Sequence, residues 1–285
     1  MYLSSEIRVR SKIFARTYVI FRLGIFALVT LIVFIIPYLG ERLTLLYQPE
    51  WDMLLINGNI GEAYRFLGLS ICVSLGLFVL NMPLLLGMFA WMSELSMGRR
   101  QRIRYLFCWC TPFSRILKAF GAGCMFLLRA LLEALKFCAV PAFGFVYLGL
   151  YGDRIEVNAY AILLMMMLIF LIVGLVYTAV RVCAYYPALY LLAAVPDMTA
   201  GEAFSQCRDF MYVNRAEFYK LILGFIPWYF VEMLTFGIAG LFIKPYFYFA
   251  MLLFVQQVYN KWLFETGKTP EFVDPLTNLF ENKEE

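Results

Sequence analysis

The stretch AYAILLMMMLIFLIVGLVYTAV, from Ala159 to Val180, decides the fold because its 22 residues include no charged side chain. A helix needs about 20 consecutive, predominantly apolar residues to cross the hydrocarbon core of a bilayer. The whole chain has a similar character, since 63% of its 285 residues are hydrophobic and 15% are charged. Soluble domains are roughly 45–50% apolar and roughly 25% charged. The composition therefore predicts an all-α integral membrane protein.

Five other apolar runs predict further membrane helices. Within a membrane domain at 20–262, six spans are expected, at about 20–39, 66–92, 123–151, 159–181, 218–238 and 245–260. The last two spans are short, and a re-entrant hairpin over 221–259 is an alternative to two full crossings. The polar segment 263–285 contains two prolines and is predicted to be a flexible cytoplasmic tail.

The basic residues group in alternate segments of the chain. The N-terminal segment, the loop after the second span, the segment before the fifth span and the tail are rich in Lys and Arg. Cytoplasmic loops keep an excess of these residues, so both termini are predicted to be cytoplasmic. Four arginines in the loop after the second span are expected to contact anionic lipid head groups: Arg99, Arg100, Arg102 and Arg104. The net charge of +4 is small for this length and indicates no nucleic-acid partner.

The segment 199–213 reads as an amphipathic helix in a mostly apolar chain. Thr199 and Glu202 fit the Ser/Thr-x-x-Glu capping box that begins many helices. Helical spacing places Phe204, Cys207 and Met211 towards lipid or the bundle and Arg208 towards water. We predict a helix in the cytoplasmic interface that stops or bends at Asn214, and a similar interfacial helix over residues 1–19.

Three charged residues lie within the predicted third span. Arg129, Glu133 and Lys136 are spaced i, i+4 and i+7, so they share one helix face. Glu232 is the acidic residue inside the predicted fifth span, and we expect it to approach Arg129 or Lys136. Such a candidate intramembrane polar cluster is either polar glue between helices or a water-filled, anion-binding pathway. A third alternative is that 113–137 is partly interfacial and that the true span starts later.

No pattern of residues indicates enzyme chemistry. The chain has no histidine, which removes the commonest general base and metal ligand, so no enzymatic activity, cofactor or metal is expected. The seven cysteines form no Cys-x-x-Cys pair and lie in apolar surroundings, so reduced, buried thiols are predicted.

A series of residues in the C-terminal half is similar to a known pattern of two tyrosines, Pro-Asp, Ser/Thr-Ala-x-Glu-Ala, an arginine, an Asn-Lys/Arg pair and a proline. In this sequence the series is Tyr185, Tyr190, Pro196, Asp197, Thr199, Glu202, Arg208, Asn214, Arg215 and Pro245. It resembles the uncharacterised bacterial multi-pass membrane family called domain of unknown function 975, although Cys207 stands where serine is usual. The resemblance implies a multi-pass protein of the bacterial cytoplasmic membrane and implies no substrate or protein partner.

Two functions are compatible with these observations. The first is a transporter- or permease-like protein, or a component of one, with its site at the charged face of the third span. The alternative is a non-enzymatic structural or regulatory membrane protein that contacts anionic lipid or a partner.

Overall fold

The computed structural model describes residues 60–97, 99, 102–151, 157–235, 239–269 and 272, together with residues 7 and 38. The predicted helix at 1–19 and the first predicted span lie outside these ranges, apart from Ile7 and Tyr38. Within the described ranges every regular element is helical. The elements are α1 (Ile60–Ser96), a 3₁₀ helix (Ile103–Phe107), α2 (Phe113–Tyr151), α3 (Val157–Cys183), α4 (Tyr186–Ala194), α5 (Ala200–Leu223), α6 (Ile226–Leu234) and α7 (Gly240–Glu265).

Three helical stretches of the described chain are long and apolar enough to cross a membrane. They are Ser70–Ser96, Phe113–Leu148 and Asn158–Ala194, which overlap the second, third and fourth predicted spans. The all-helical class is therefore confirmed for the described residues, while the number of six spans and the orientation stay predictions.

Helix α2 begins at Phe113, well before the predicted start of the third span at 123. Its 39 residues correspond to about 58 Å at a rise of about 1.5 Å per residue. The hydrocarbon core is about 30 Å thick. One perpendicular crossing would therefore leave roughly half of α2 outside the hydrocarbon, and the interfacial alternative for 113–137 stays a prediction.

The predicted span 218–238 is interrupted in the structure. Helix α5 does not stop at Asn214, because the Asn214 side chain donates to the Phe210 carbonyl at 2.8 Å and the helix continues to Leu223. A new helix, α6, begins at Ile226 with a proline in its first turn, where the missing N–H costs no helical hydrogen bond. The nine residues of α6 reach only about 14 Å. A single continuous helix over 218–238 is thus replaced by two pieces.

Phe272 is held against α7 by Asn260. The helix ends at Glu265, and Gly267 just beyond it has a φ of 74°, the left-handed conformation that glycine adopts easily. The Asn260 side chain donates to the Phe272 carbonyl at 2.6 Å and accepts from the Phe272 N–H at 3.1 Å, and the Phe272 ring is buried. The first residues of the predicted tail, up to Glu265, are therefore helical, and the flexibility of the tail stays a prediction.

The chain divides into two compact units. The main unit comprises Met1–Gly123 and Pro187–Glu285, and the hairpin unit comprises Cys124–Tyr186. In the main unit, aromatic contacts join α1 to α4 and α5 to α7; the ring pairs are Phe89–Tyr190 at 4.0 Å and Phe218–Phe254 at 5.6 Å. Phe204, Cys207 and Met211 are buried and Arg208 is exposed. The predicted faces of α5 are therefore confirmed, and its apolar face packs against protein.

All seven cysteines are free thiols, as predicted, but only Cys207 is buried. The others are exposed or partly exposed because they lie on helices and loops whose apolar surfaces are not covered by protein within their units.

The capping box at the start of α5 forms as predicted. The Thr199 hydroxyl accepts from the Glu202 N–H at 3.3 Å, and the Glu202 carboxylate accepts from the Thr199 N–H at 2.8 Å. This backbone N–H, followed by the Thr199 hydroxyl, lowers the pKa of Glu202 below its ordinary value of 4.5.

The lowered pKa predicts a pH-dependent contribution to stability. Because the carboxylate is favoured in the folded state, its contribution is present above the ordinary pKa and is lost as the pH falls through the lowered one. We expect Glu202→Gln to lower the Tm in detergent at neutral pH, and we expect the gap from wild type to close as the pH falls through the lowered pKa of Glu202. Asp197→Asn, which changes a neighbouring exposed carboxyl, is the matched control. A gap that is constant from neutral to acidic pH contradicts the capping role.

Candidate functional site

The hairpin unit consists of two helical segments that run antiparallel. A Cβ on Gly144 would overlap the Met167 side chain, and one on Gly174 would touch Phe137 and Cys138. Later residues of α3 therefore meet earlier residues of α2. The two glycines allow this close approach because they carry no side chain between the helices.

Tyr185, in the turn after α3, contacts two of the three charged residues of α2. The Glu133 carboxylate accepts from the Lys136 ammonium at 2.9 Å and from the Tyr185 hydroxyl at 3.2 Å. The Arg129 guanidinium lies over the Tyr185 ring, 5.6 Å from its centroid. Helical spacing brings the charges to one face, and the turn after α3 brings the tyrosine to them.

Arg181 joins the same end of the hairpin from α3. Its Nε donates to the Tyr177 hydroxyl at 2.8 Å, one turn earlier on the helix. The Tyr177 ring in turn packs on Phe137 of α2, with 4.1 Å between ring centroids. Three cations, Arg129, Lys136 and Arg181, therefore share this region with one acid, Glu133. We call these four residues and Tyr185 the cationic cluster.

The acidic residue of the cluster is mostly buried, whereas one of its cations is exposed. The Glu133 side chain is 12% exposed, whereas that of Lys136 is 57% exposed. The outward surface of the cluster is therefore positively charged and suits an anion. Among the described residues no group of His, Cys, Asp and Glu is placed to hold a metal ion.

Glu232 has an ion-pair partner inside the main unit. Its carboxylate lies 2.9 Å from the Lys244 ammonium, with side-chain exposures of 15% for Glu232 and 31% for Lys244. A Cβ on Gly240 would overlap the same carboxylate, so the first residue of α7 lies directly beside it. The approach of Glu232 to Arg129 or Lys136 stays a prediction. The sequence offers one signal for the pairing of Lys244 with Glu232, because Lys244 lies one turn into the helix that follows Glu232.

The other residues of the family pattern mostly shape the main unit. Tyr190 is fully buried against Phe89, and the Pro196 carbonyl accepts from the Lys118 ammonium at 2.5 Å.

Arg215 lies over the Tyr212 ring at 5.3 Å, and the exposed Arg208 is 3.5 Å from Asp209. Asp197 is exposed in the turn before the cap, and Pro245 lies within α7. Tyr185 belongs both to the family pattern and to the cationic cluster.

These features define a protein whose described elements are helical and whose longest apolar helices are long enough to cross a membrane. Several of its charged residues are grouped in the cationic cluster. Residues 1–261 match the family described as "Protein of unknown function (DUF975)", so the chain belongs to this family, as the resemblance predicted. No curated protein and no solved structure matches the chain.

Proposed function

We propose that this chain is a multi-pass protein of the bacterial cytoplasmic membrane, without enzymatic activity, that has a structural or regulatory role through contact with anionic lipid. The loop between α1 and α2 supports the contact with anionic lipid most directly, because part of this loop packs closely against α1 while its arginines are exposed. Basic residues next to a membrane helix attract anionic head groups.

The loop is packed where it meets the rest of the main unit. The Leu106 carbonyl lies so close to Gly87 that a Cβ at this position would overlap it. Trp109 is buried, and the Arg115 guanidinium donates to the Cys108 carbonyl at 3.2 Å. The peptide that carries the arginines is therefore held against α1.

The arginines themselves point outward. Arg102 and Arg104 are exposed, and the Arg99 side chain is 64% exposed beside Glu94 at 3.5 Å. Burial raises the pKa of the Cys108 thiol to about 11, so at neutral pH this thiol adds no negative charge to the loop. Arg100 lies outside the described residues and adds a further cation to the sequence of the loop.

A test compares stability in two lipids. Wild type should have a higher Tm in nanodiscs of phosphatidylglycerol than in nanodiscs of phosphatidylcholine, and added salt should reduce this gain because it screens exposed charges. The double variant Arg102→Gln/Arg104→Gln should lose most of the gain. The control Arg208→Gln/Lys261→Gln removes two exposed cations elsewhere and should keep it. A gain that survives the loop variant, or that both variants lose equally, contradicts the role of the loop.

A transporter-like function is the second candidate, and one observation favours it. Interrupted helices recur at the binding sites of transporters, and paired charges within membrane helices mark substrate and ion pathways. The breaks between α5, α6 and α7 and the Glu232–Lys244 pair have this form. Anion flux into liposomes that Glu133→Gln or Glu232→Gln abolishes would support transport. The lack of flux for a broad panel of anions would leave the structural role ahead.

A further inference from the structure

We propose that the cationic cluster of the hairpin unit is a binding site for the phosphate of an anionic membrane lipid, at the level where hydrocarbon meets the head groups. The inference rests on the proposed membrane placement but not on the arginine loop, and it assigns a second, separate lipid contact.

The charges of the hairpin unit occur at two levels only. Three lie in the link between the helices, at Asp153, Arg154 and Glu156. The other four are Arg129, Glu133, Lys136 and Arg181, which belong to the cluster. Between the two levels, α2 from 137 to 151 and α3 from 157 to 180 contain no charged residue.

The separation of these two levels matches the thickness of a bilayer core. Along α2, Glu133 is 18 residues from Tyr151, or about 27 Å. Along α3, Arg181 is 24 residues from Val157, or about 36 Å. These lengths bracket the hydrocarbon thickness of about 30 Å. When the link lies at one surface, the cluster therefore lies at the opposite boundary and not at the midplane.

The aromatic contacts of the cluster fit this boundary. Tyr177 and Tyr185 each place a ring against an arginine and direct a hydroxyl to a charged partner. Tyrosine is enriched at the membrane interface because its ring is apolar and its hydroxyl is polar. The two rings also orient the guanidinium groups of Arg129 and Arg181, so the cationic surface is partly preorganised.

The composition of the cluster selects an anionic lipid. Three cations and one acid give a net charge of +2 at this level of the hairpin. Lys136 is exposed beside Leu132 and Leu135, whose side chains are 51% and 53% exposed. An ammonium next to exposed leucines can bind a phosphate while the acyl chains cover the apolar side chains. A free phosphate ion would match the cation alone.

The test measures binding of defined probes to the full-length protein in a neutral detergent. Short-chain phosphatidylglycerol should bind saturably, short-chain phosphatidylcholine should bind much more weakly, and inorganic phosphate should not compete at equal concentration. Lys136→Gln should weaken phosphatidylglycerol binding about fivefold, and Lys136→Gln/Arg181→Gln by roughly twentyfold or more. Lys136→Arg keeps the charge at the same exposed position and should retain most of the affinity.

Two controls distinguish binding at this site from binding at the arginine loop and from nonspecific attraction of anionic lipid to exposed cations. Arg208→Gln removes an exposed cation outside the hairpin unit and should leave the affinity unchanged. Arg102→Gln/Arg104→Gln should not reduce the saturable component that Lys136→Gln removes, so either lipid contact can fail without the other. Equal weakening by Arg208→Gln, unchanged binding in the Lys136→Gln/Arg181→Gln variant, or full competition by inorganic phosphate would overturn the assignment.

Discussion

Replacing Gly87 with alanine is expected to destabilise the protein by roughly 3 kcal/mol or more. An added Cβ would overlap the carbonyl oxygen of Leu106. This atom belongs to the backbone and cannot rotate away like the end of a side chain. Helix α1 and the 3₁₀ helix Ile103–Phe107 would have to separate, and Trp109, which is buried in the same loop, would lose its packing. Thermal unfolding of the purified protein in detergent measures the effect.

Gly76 provides a matched control in the same helix. A Cβ at Gly76 meets nothing within 4 Å. Alanine is a better helix former than glycine by about 1 kcal/mol, so Gly76→Ala should be neutral or slightly stabilising. Gly87→Ala should also reduce the response to phosphatidylglycerol, because it displaces the arginine loop. If the two substitutions shift the Tm alike, close packing at Gly87 does not hold the loop.

Gln256→Leu is expected to cost about 2–3 kcal/mol because it disrupts a fully buried polar contact between α1 and α7. The Gln256 amide donates to the hydroxyls of Ser93 and Ser96 at 3.1 and 3.0 Å, and its oxygen accepts from Ser96 at 3.2 Å. All three side chains are at most 3% exposed. Leucine fills a similar volume but leaves the two serine hydroxyls without the amide.

A triple variant separates the polar contact from packing. Ser93→Ala/Ser96→Ala/Gln256→Leu removes every side-chain polar group of the contact, so it should regain part of the stability that Gln256→Leu loses. Gln257→Leu makes the same chemical change at the next, more exposed residue and should have a much smaller effect. Chemical unfolding in mixed micelles measures all three. A triple variant less stable than Gln256→Leu would show that the amide is not the source of the cost.

The sequence predicts helices well where one local signal suffices. The uncharged run from Ala159 to Val180 lies within α3, and the capping box at Thr199 and Glu202 begins α5 at the expected place. Asn214 shows the limit of such signals. Asparagine often ends a helix, but here its side chain bonds a carbonyl one turn earlier and the helix continues.

The cationic cluster was predictable in part. Helical periodicity alone places Arg129, Glu133 and Lys136 on one face, because residues three and four apart are neighbours. The Tyr185 hydroxyl reaches Glu133 across 52 positions of sequence, and no local pattern encodes a contact of that kind. The start of α2 at Phe113 does have a local signal, because Pro112 directly precedes it and proline is common where a helix begins.

The division of the chain into two units has a consequence for its biogenesis. The hairpin unit is continuous in sequence, so its two helices can pair as soon as both have left the ribosome. The main unit is discontinuous, and the bond between Ser96 and Gln256 joins residues 160 positions apart. Ser96 of α1 therefore cannot bond Gln256 of α7 until almost the entire chain has been synthesised, whereas the helices of the hairpin unit can pair earlier.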